Sequence, residues 1–137
     1  MLRYPLLHPP LLAALAAAGH GSKVLLADSN YAHRTNTHHR ATLVHLNLSP
    51  DVLTVDQVLT PLLTAIPVEA AHTMRPDDHG VPEAWQAYEH SLGLTVTPLP
   101  RADFYAACLS PTLAVCVATG DTRFYANLLL TIGAISK

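Results

Sequence analysis

At 137 residues, half of them hydrophobic and only 13% charged, the chain is long enough to bury roughly two-thirds of its unfolded surface around one core. So little charge on so apolar a chain implies a large core, a surface partly hidden in an oligomer, or both. A formal charge of −2 with no Lys/Arg cluster excludes a nucleic-acid face, and two cysteines without close metal-ligand spacing suit a reducing cytoplasm.

The opening "MLRYPLLHPPLLAALAAAG" carries the early arginine and apolar run of a secretory signal. Pro5, His8, Pro9 and Pro10 interrupt it, so only Leu11 to Ala18 runs unbroken. That is short for a signal core and far below the ~20 residues of a membrane span. The segment is expected to belong to the fold. Pro9 and Pro10 suit a helix start and Gly19 a left-handed stop, which predicts a short, largely buried helix over 11–18. "KVLLA" (23–27) reads as a buried strand, and "DSNYAHRTNTHHR" (28–40) as a polar loop. "ATLVHLNL" (41–48) resumes as a strand. Thr54 and Gln57 form a capping-box pattern before a helix that contains Pro61.

A strand over 68–74, a loop over 75–82 and a helix over 83–92 stopped by Gly93 follow. Then come a strand near 94–98, a helix near 101–109 and a strand over 112–119. A glycine turn leads into "FYANLLLTIG". Alternating strands and helices predict an α/β domain with a largely parallel sheet.

Sites in such sheets form beyond the carboxyl ends of the strands. Asp28 stands at that end of the first strand. His20 follows the first helix, whose C-terminal partial negative charge suits a proton carrier. On residue type alone, a capping histidine and a turn aspartate explain the pair as well. Arg101, at the start of a short helix, can bind ligand oxygens or simply pair with Asp103 or a surface carboxylate. Tyr125 and Asn127 share a face if extended, presenting a phenol and an amide suited to hydroxyls; packing and a turn are the plain alternative.

A metal reading rests on His33, His38, His39 and His45. His38 and His39 are adjacent, and no H-E-x-x-H or C-x-x-C accompanies them, so an exposed histidine loop is the simpler account. No glycine-rich phosphate motif and no G-x-S-x-G is present.

Taken together, "GHGSKVLLADSN" after a leucine-rich helix, "RADFYAA" before an apolar strand, and the closing "ATGDTRFYANLLLTIGAI" resemble the D-ribose pyranase and L-fucose mutarotase family. The last stretch is the most specific, because the family typically ends T/S-G-E-x-x-x-Y-[AG]-N-[IL]-[IL]-L. The resemblance implies a single three-layer α/β/α domain over residues 1–137 with a largely parallel or mixed sheet. It implies a cytoplasmic isomerase that interconverts sugar anomers by acid–base ring opening, without metal or cofactor.

Position by position, His20 matches the family's catalytic histidine and Asp28 its sugar-binding aspartate, which is expected to orient a sugar hydroxyl or to position the His20 imidazole. Arg101 matches a position that is arginine in fucose-type members and histidine in ribose-type members. Tyr125, Ala126 and Asn127 match the substrate-binding segment. Ring-like homo-oligomers, often decamers with sites where subunits meet, are implied as well. Ser22 stands where an acid is common, and Asp121 where glutamate is usual. The fucose type is the first expectation. Ribose pyranase activity, a non-catalytic sugar-binding subunit and a metal enzyme built on the histidine loop are the alternatives.

Overall fold

The computed structural model describes residues 1–137. Its elements, in chain order, are α1 (Pro9–Ala17), β1 (Lys23–Ala27), β2 (Thr42–His45), α2 (Val55–Leu62), β3 (Val68–Met74), α3 (Glu83–Leu92), β4 (Thr97–Leu99), α4 (Arg101–Cys108), β5 (Leu113–Ala118) and β6 (Leu128–Ile132). The strands form one six-stranded sheet in the order β2-β5-β1-β6-β3-β4. β2, β5 and β1 pair in parallel, as do β3 and β4, while β6 runs antiparallel between β1 and β3. The sheet is therefore mixed.

β1, β5 and β6 are almost continuously apolar because helices cover both of their faces. In β1, Val24 and Leu26 point into a core shared with α1, α2 and α3, where Leu11, Leu59, Leu62 and Tyr88 are fully buried. Leu25 and Ala27 point the other way, into a smaller core with Tyr31, Phe104, Cys108 and Cys116. β6 repeats the alternation, with Leu128 and Leu130 on the first side and Leu129 on the second. This is the three-layer α/β/α arrangement. Truncating any of these buried leucines to alanine costs about 2–5 kcal/mol.

Local chemistry sets several boundaries. Thr54 and Gln57 form the expected reciprocal cap on α2, and Gly93 ends α3 in the left-handed conformation (φ 67°). The sequence reading of α1 needs two corrections. Its cap is Ala18 in an extended conformation, while Gly21, not Gly19, takes the positive φ (81°). The helix is also not largely buried, since only Leu11 and Leu15 are enclosed. Alanines on every side give α1 almost no directional apolar face, so composition alone overstated its burial. No helix is long and apolar enough to cross a membrane.

Candidate active site

Four strand ends converge at one edge of the sheet. β1 delivers Asp28, β3 ends at Met74, β4 leads into Arg101, and the antiparallel β6 begins just after Asn127. Because β6 is reversed, its entry lies at the same edge as the exits of its parallel neighbours. The result is a cleft of about 290 Å³ lined by Asp28, Arg101, Tyr105, Phe124, Tyr125 and Asn127, among others.

At its floor, Asp28 and Asn127 are 3% and 5% exposed. The Asp28 N–H donates to Asn127 Oδ1 (2.8 Å), and Asn127 Nδ2 donates back to Asp28 Oδ2 (2.9 Å). The other carboxylate oxygen accepts the Asn30 N–H at 3.0 Å. Burial raises the Asp28 carboxyl to about 6, against the lowering effect of hydrogen bonds from the backbone of Asn30 and Tyr31, and nearby Asp121 raises it further. Every donor to this carboxylate within the chain is neutral.

Tyr125 forms one wall. Its backbone is left-handed (φ 58°), so Tyr125 and Asn127 do not share a face through extended geometry, as periodicity suggested. They meet in the cleft because the chain turns there. Ala126, between them, is fully buried. Arg101 Nη2 donates to the Tyr125 phenol (3.2 Å) and to Asp77 Oδ2 (3.0 Å), with the guanidinium 5.9 Å from the Tyr125 ring centroid. Of the two acidic partners the sequence offered, it is a surface carboxylate, Asp77, that pairs with Arg101, and not Asp103. The glycine before Asp121 is required sterically, since a Cβ on Gly120 would sit 2.3 Å from the Ser49 carbonyl oxygen.

His20 lies elsewhere. It precedes the amino end of β1, with Nε2 2.9 Å from Glu69 Oε2, and the two side chains are 59% and 45% exposed. The five residues of β1 separate it from Asp28, about 16 Å of strand at roughly 3.3 Å per residue. Within one chain, then, Asp28 does not position the His20 imidazole. The remaining histidines do not converge either. His33 Nε2 donates to the Asp28 carbonyl (3.0 Å), His38 and His39 stack with ring centroids 4.4 Å apart, and His45 is exposed on β2.

Sequence reasoning did not single out Asn30, Met74, Tyr105 or Phe124 as cleft residues. The carboxyl-end rule that flagged Asp28, applied to β3, points to Met74. Tyr105 lies one helical turn after Arg101 on α4, the spacing that puts two side chains on one face. Phe124, 79% exposed, carried no local signal.

The chain and its fold have counterparts among known proteins. The fucose mutarotase of Mus musculus is 31% identical over 94% of this chain and 90% of that protein. The fucose mutarotase of Streptococcus pneumoniae, solved in complex with L-fucose, superposes with a TM-score of 0.84 at 26% identity, covering 99% of this chain and all of that one. Bacillus subtilis RbsD, solved with D-ribose, has the same fold, with a TM-score of 0.84 at 19% identity over 99% of this chain and 100% of that one. The family model described as the RbsD / FucU transport protein family matches residues 1–135. With the fold, the carboxyl-edge cleft and that match in agreement, the chain belongs to the RbsD / FucU family.

Proposed function

We propose that this chain is a monosaccharide mutarotase of the fucose type, interconverting the anomers of a reducing sugar by acid–base ring opening and closure. The observation that carries this reading is the cleft floor, where a buried carboxylate is held in place by neutral donors and left without a cation. Such a group is free to accept a sugar hydroxyl. The names of the mouse and streptococcal relatives support the substrate class. Arg101, the fucose-type choice at its position, favours fucose over ribose.

Mutarotation needs one proton taken from the anomeric hydroxyl and one delivered to the ring oxygen. The C1–O5 bond breaks, the aldehyde rotates, and the ring closes on its other face with the protons returned. Asp28 holds a hydroxyl at the floor, and Arg101, Tyr125 and Asn127 hold further oxygens. Ala126 lets the backbone lie close beneath them. The proton-transfer imidazole is supplied by His20 of the partner subunit, because the chain's own His20 stands at the opposite edge of the sheet.

This makes the working unit a homo-oligomer, in which each copy of the domain (residues 1–137) completes the site of another. Exposed apolar side chains such as Leu2, Leu7, Leu109 and Phe124 support assembly. Buried thiols at Cys108 and Cys116, pushed up to about 11 and about 12 by burial, suit a reducing cytoplasm. Nothing in the proton bookkeeping calls for metal or cofactor.

Saturation-transfer NMR between anomers tests the reading. L-fucose should exchange faster than D-ribose, with rates unchanged by a chelator. His20→Ala should slow exchange by roughly 10²-fold or more. Mixing assembled His20→Ala and Asp28→Asn chains should restore part of the activity, as each supplies what the other lacks. Exchange of both sugars at the uncatalysed rate would sink the proposal.

A further inference from the structure

We propose that Trp85 and Tyr88 of α3 are positioning residues for the cleft, gripping its Tyr125–Asn127 wall from the far face of the sheet through two consecutive main-chain carbonyls. This rests on the reading of the cleft as a sugar site. It assigns a task to two side chains that do not line the cleft.

The need for a grip follows from the backbone. A left-handed conformation at a residue other than glycine is strained and persists only where its surroundings over-determine it. Tyr125 has φ 58° and carries a large ring. On the far side, Trp85 and Tyr88 are three positions apart on the buried face of α3, the spacing at which helical side chains are neighbours. Trp85 Nε1 donates to the Tyr125 carbonyl at 3.1 Å, and the Tyr88 hydroxyl donates to the Ala126 carbonyl at 2.7 Å.

Fixing two successive carbonyls fixes two successive peptide planes. Those planes set the direction in which the Tyr125 ring leaves the backbone towards Arg101. They also set the direction in which the Asn127 amide reaches Asp28. Tyr88 and Ala126 are fully buried, so no water can take over their bond without opening the core, while the Trp85 bond is partly buried. Burial also pushes the Tyr88 phenol well above its ordinary value, against the lowering effect of Arg123, with Asp56, Asp121 and Asp28 adding to the rise. Tyr88 therefore remains a donor throughout the working range.

Plain core packing of α3 would bury the same rings. It would not couple them to the sugar. Trp85 is the only tryptophan in the chain, so its indole N–H gives a single, unambiguous resonance. In the ¹⁵N-labelled full-length protein, L-fucose or D-ribose should move that resonance saturably, with the midpoint of sugar binding. Tyr88→Phe keeps the ring and removes only the donor. It should raise KM about tenfold, the scale of one buried hydrogen bond, with kcat changed about twofold or less and the assembly mass unchanged. Trp85→Phe should act in the same direction.

Should Tyr88→Phe fail to fold, the wild-type titration and Trp85→Phe decide the matter. An indole resonance that stays still at saturating sugar in an exchange-competent protein overturns the grip alone, as does a folded variant with wild-type KM. A wild-type protein that binds neither sugar overturns the sugar reading, and the grip's role with it.

Discussion

Asp28 and Asp121 follow the adjacent parallel strands β1 and β5, and both are almost completely buried. Their surroundings drive them in opposite directions. Burial lifts Asp28 to about 6, Asp121 adds to the rise, and the groups that donate to it are all neutral N–H groups. Burial acts on Asp121 in the same sense, but the Arg123 guanidinium and the backbone N–H groups of Val55 and Arg123 outweigh it and hold its carboxyl below the ordinary value. Arg123 spans Asp121, at 2.6 Å, and Asp56, while Asp121 Oδ2 caps the first N–H of α2 at 3.0 Å. One carboxylate is a strut between a loop and a helix. The other is held ready and left uncompensated, which is how a binding site differs from a brace built of the same residue.

The difference can be broken most forcefully from the strut side. Arg123→Met strands Asp121 in the interior without its cation. It should lower unfolding stability in urea by about 3 kcal/mol, the low end for a broken buried pair because Arg123 is itself partly exposed. A loss below ~1 kcal/mol would erase the distinction.

Asp28→Asn should do the reverse. Anomer exchange should fall about 10- to 100-fold, the loss of a charged hydrogen-bond acceptor, while stability moves by no more than ~1 kcal/mol. A variant that unfolds yet keeps its exchange rate when folded would make Asp28 the brace instead.

Acid sharpens the contrast. The folded carboxyl of Asp28 sits above its ordinary 3.8, so its contribution to stability is full below that value and is lost as pH rises through about 6. Acidifying from pH 7 to 4 should therefore favour the fold at this residue by at most roughly 3 kcal/mol. Over the same window exchange should decline, as the acceptor is neutralised. Asp121 has the opposite sign. Its contribution is full above the ordinary carboxylate value and is lost as pH falls from there through its lowered folded value. Parallel pH series of melting temperature and exchange, on wild type and Asp28→Asn, separate the two. If wild type and variant share one melting profile, Asp28 is not the titrating group.

The smallest effect belongs to Arg101→Lys. Arg101 is paired with an exposed Asp77, so stability should not change measurably. Exchange should drop only a few-fold, as a fork becomes a point charge. A collapse of exchange would move the centre of the site from the cleft floor to its rim.

Much of this was readable from the chain. Alternating strands and helices implied an α/β sheet, and the Thr54/Gln57 box and Gly93 marked helix ends by local chemistry that survives in the structure. Asp28 was found because the carboxyl end of a strand is a positional rule. What escaped was everything decided by distant parts. His20 and Asp28 look close in sequence, yet a strand between them carries them to opposite edges of the sheet. The left-handed turn at Tyr125 has no glycine or asparagine to announce it, because α3 imposes it from forty residues away. The exposure of α1 was hidden for a different reason, since a run of alanine and leucine reads as core wherever it lies.

β6 has a consequence for how the protein is born. It is the last strand in chain order, yet it sits between β1 and β3 and alone joins the three-strand and two-strand halves of the sheet. A nascent chain emerging from the ribosome can assemble β2, β5 and β1, or β3 with β4, but it cannot weld them until residues 128–132 have cleared the exit tunnel. Long-range pairing of this kind slows folding, and until β6 arrives two unpaired strand edges are open to stray association. Tyr125, Ala126 and Asn127 lead directly into that strand, so the cleft is completed in the same act that closes the sheet.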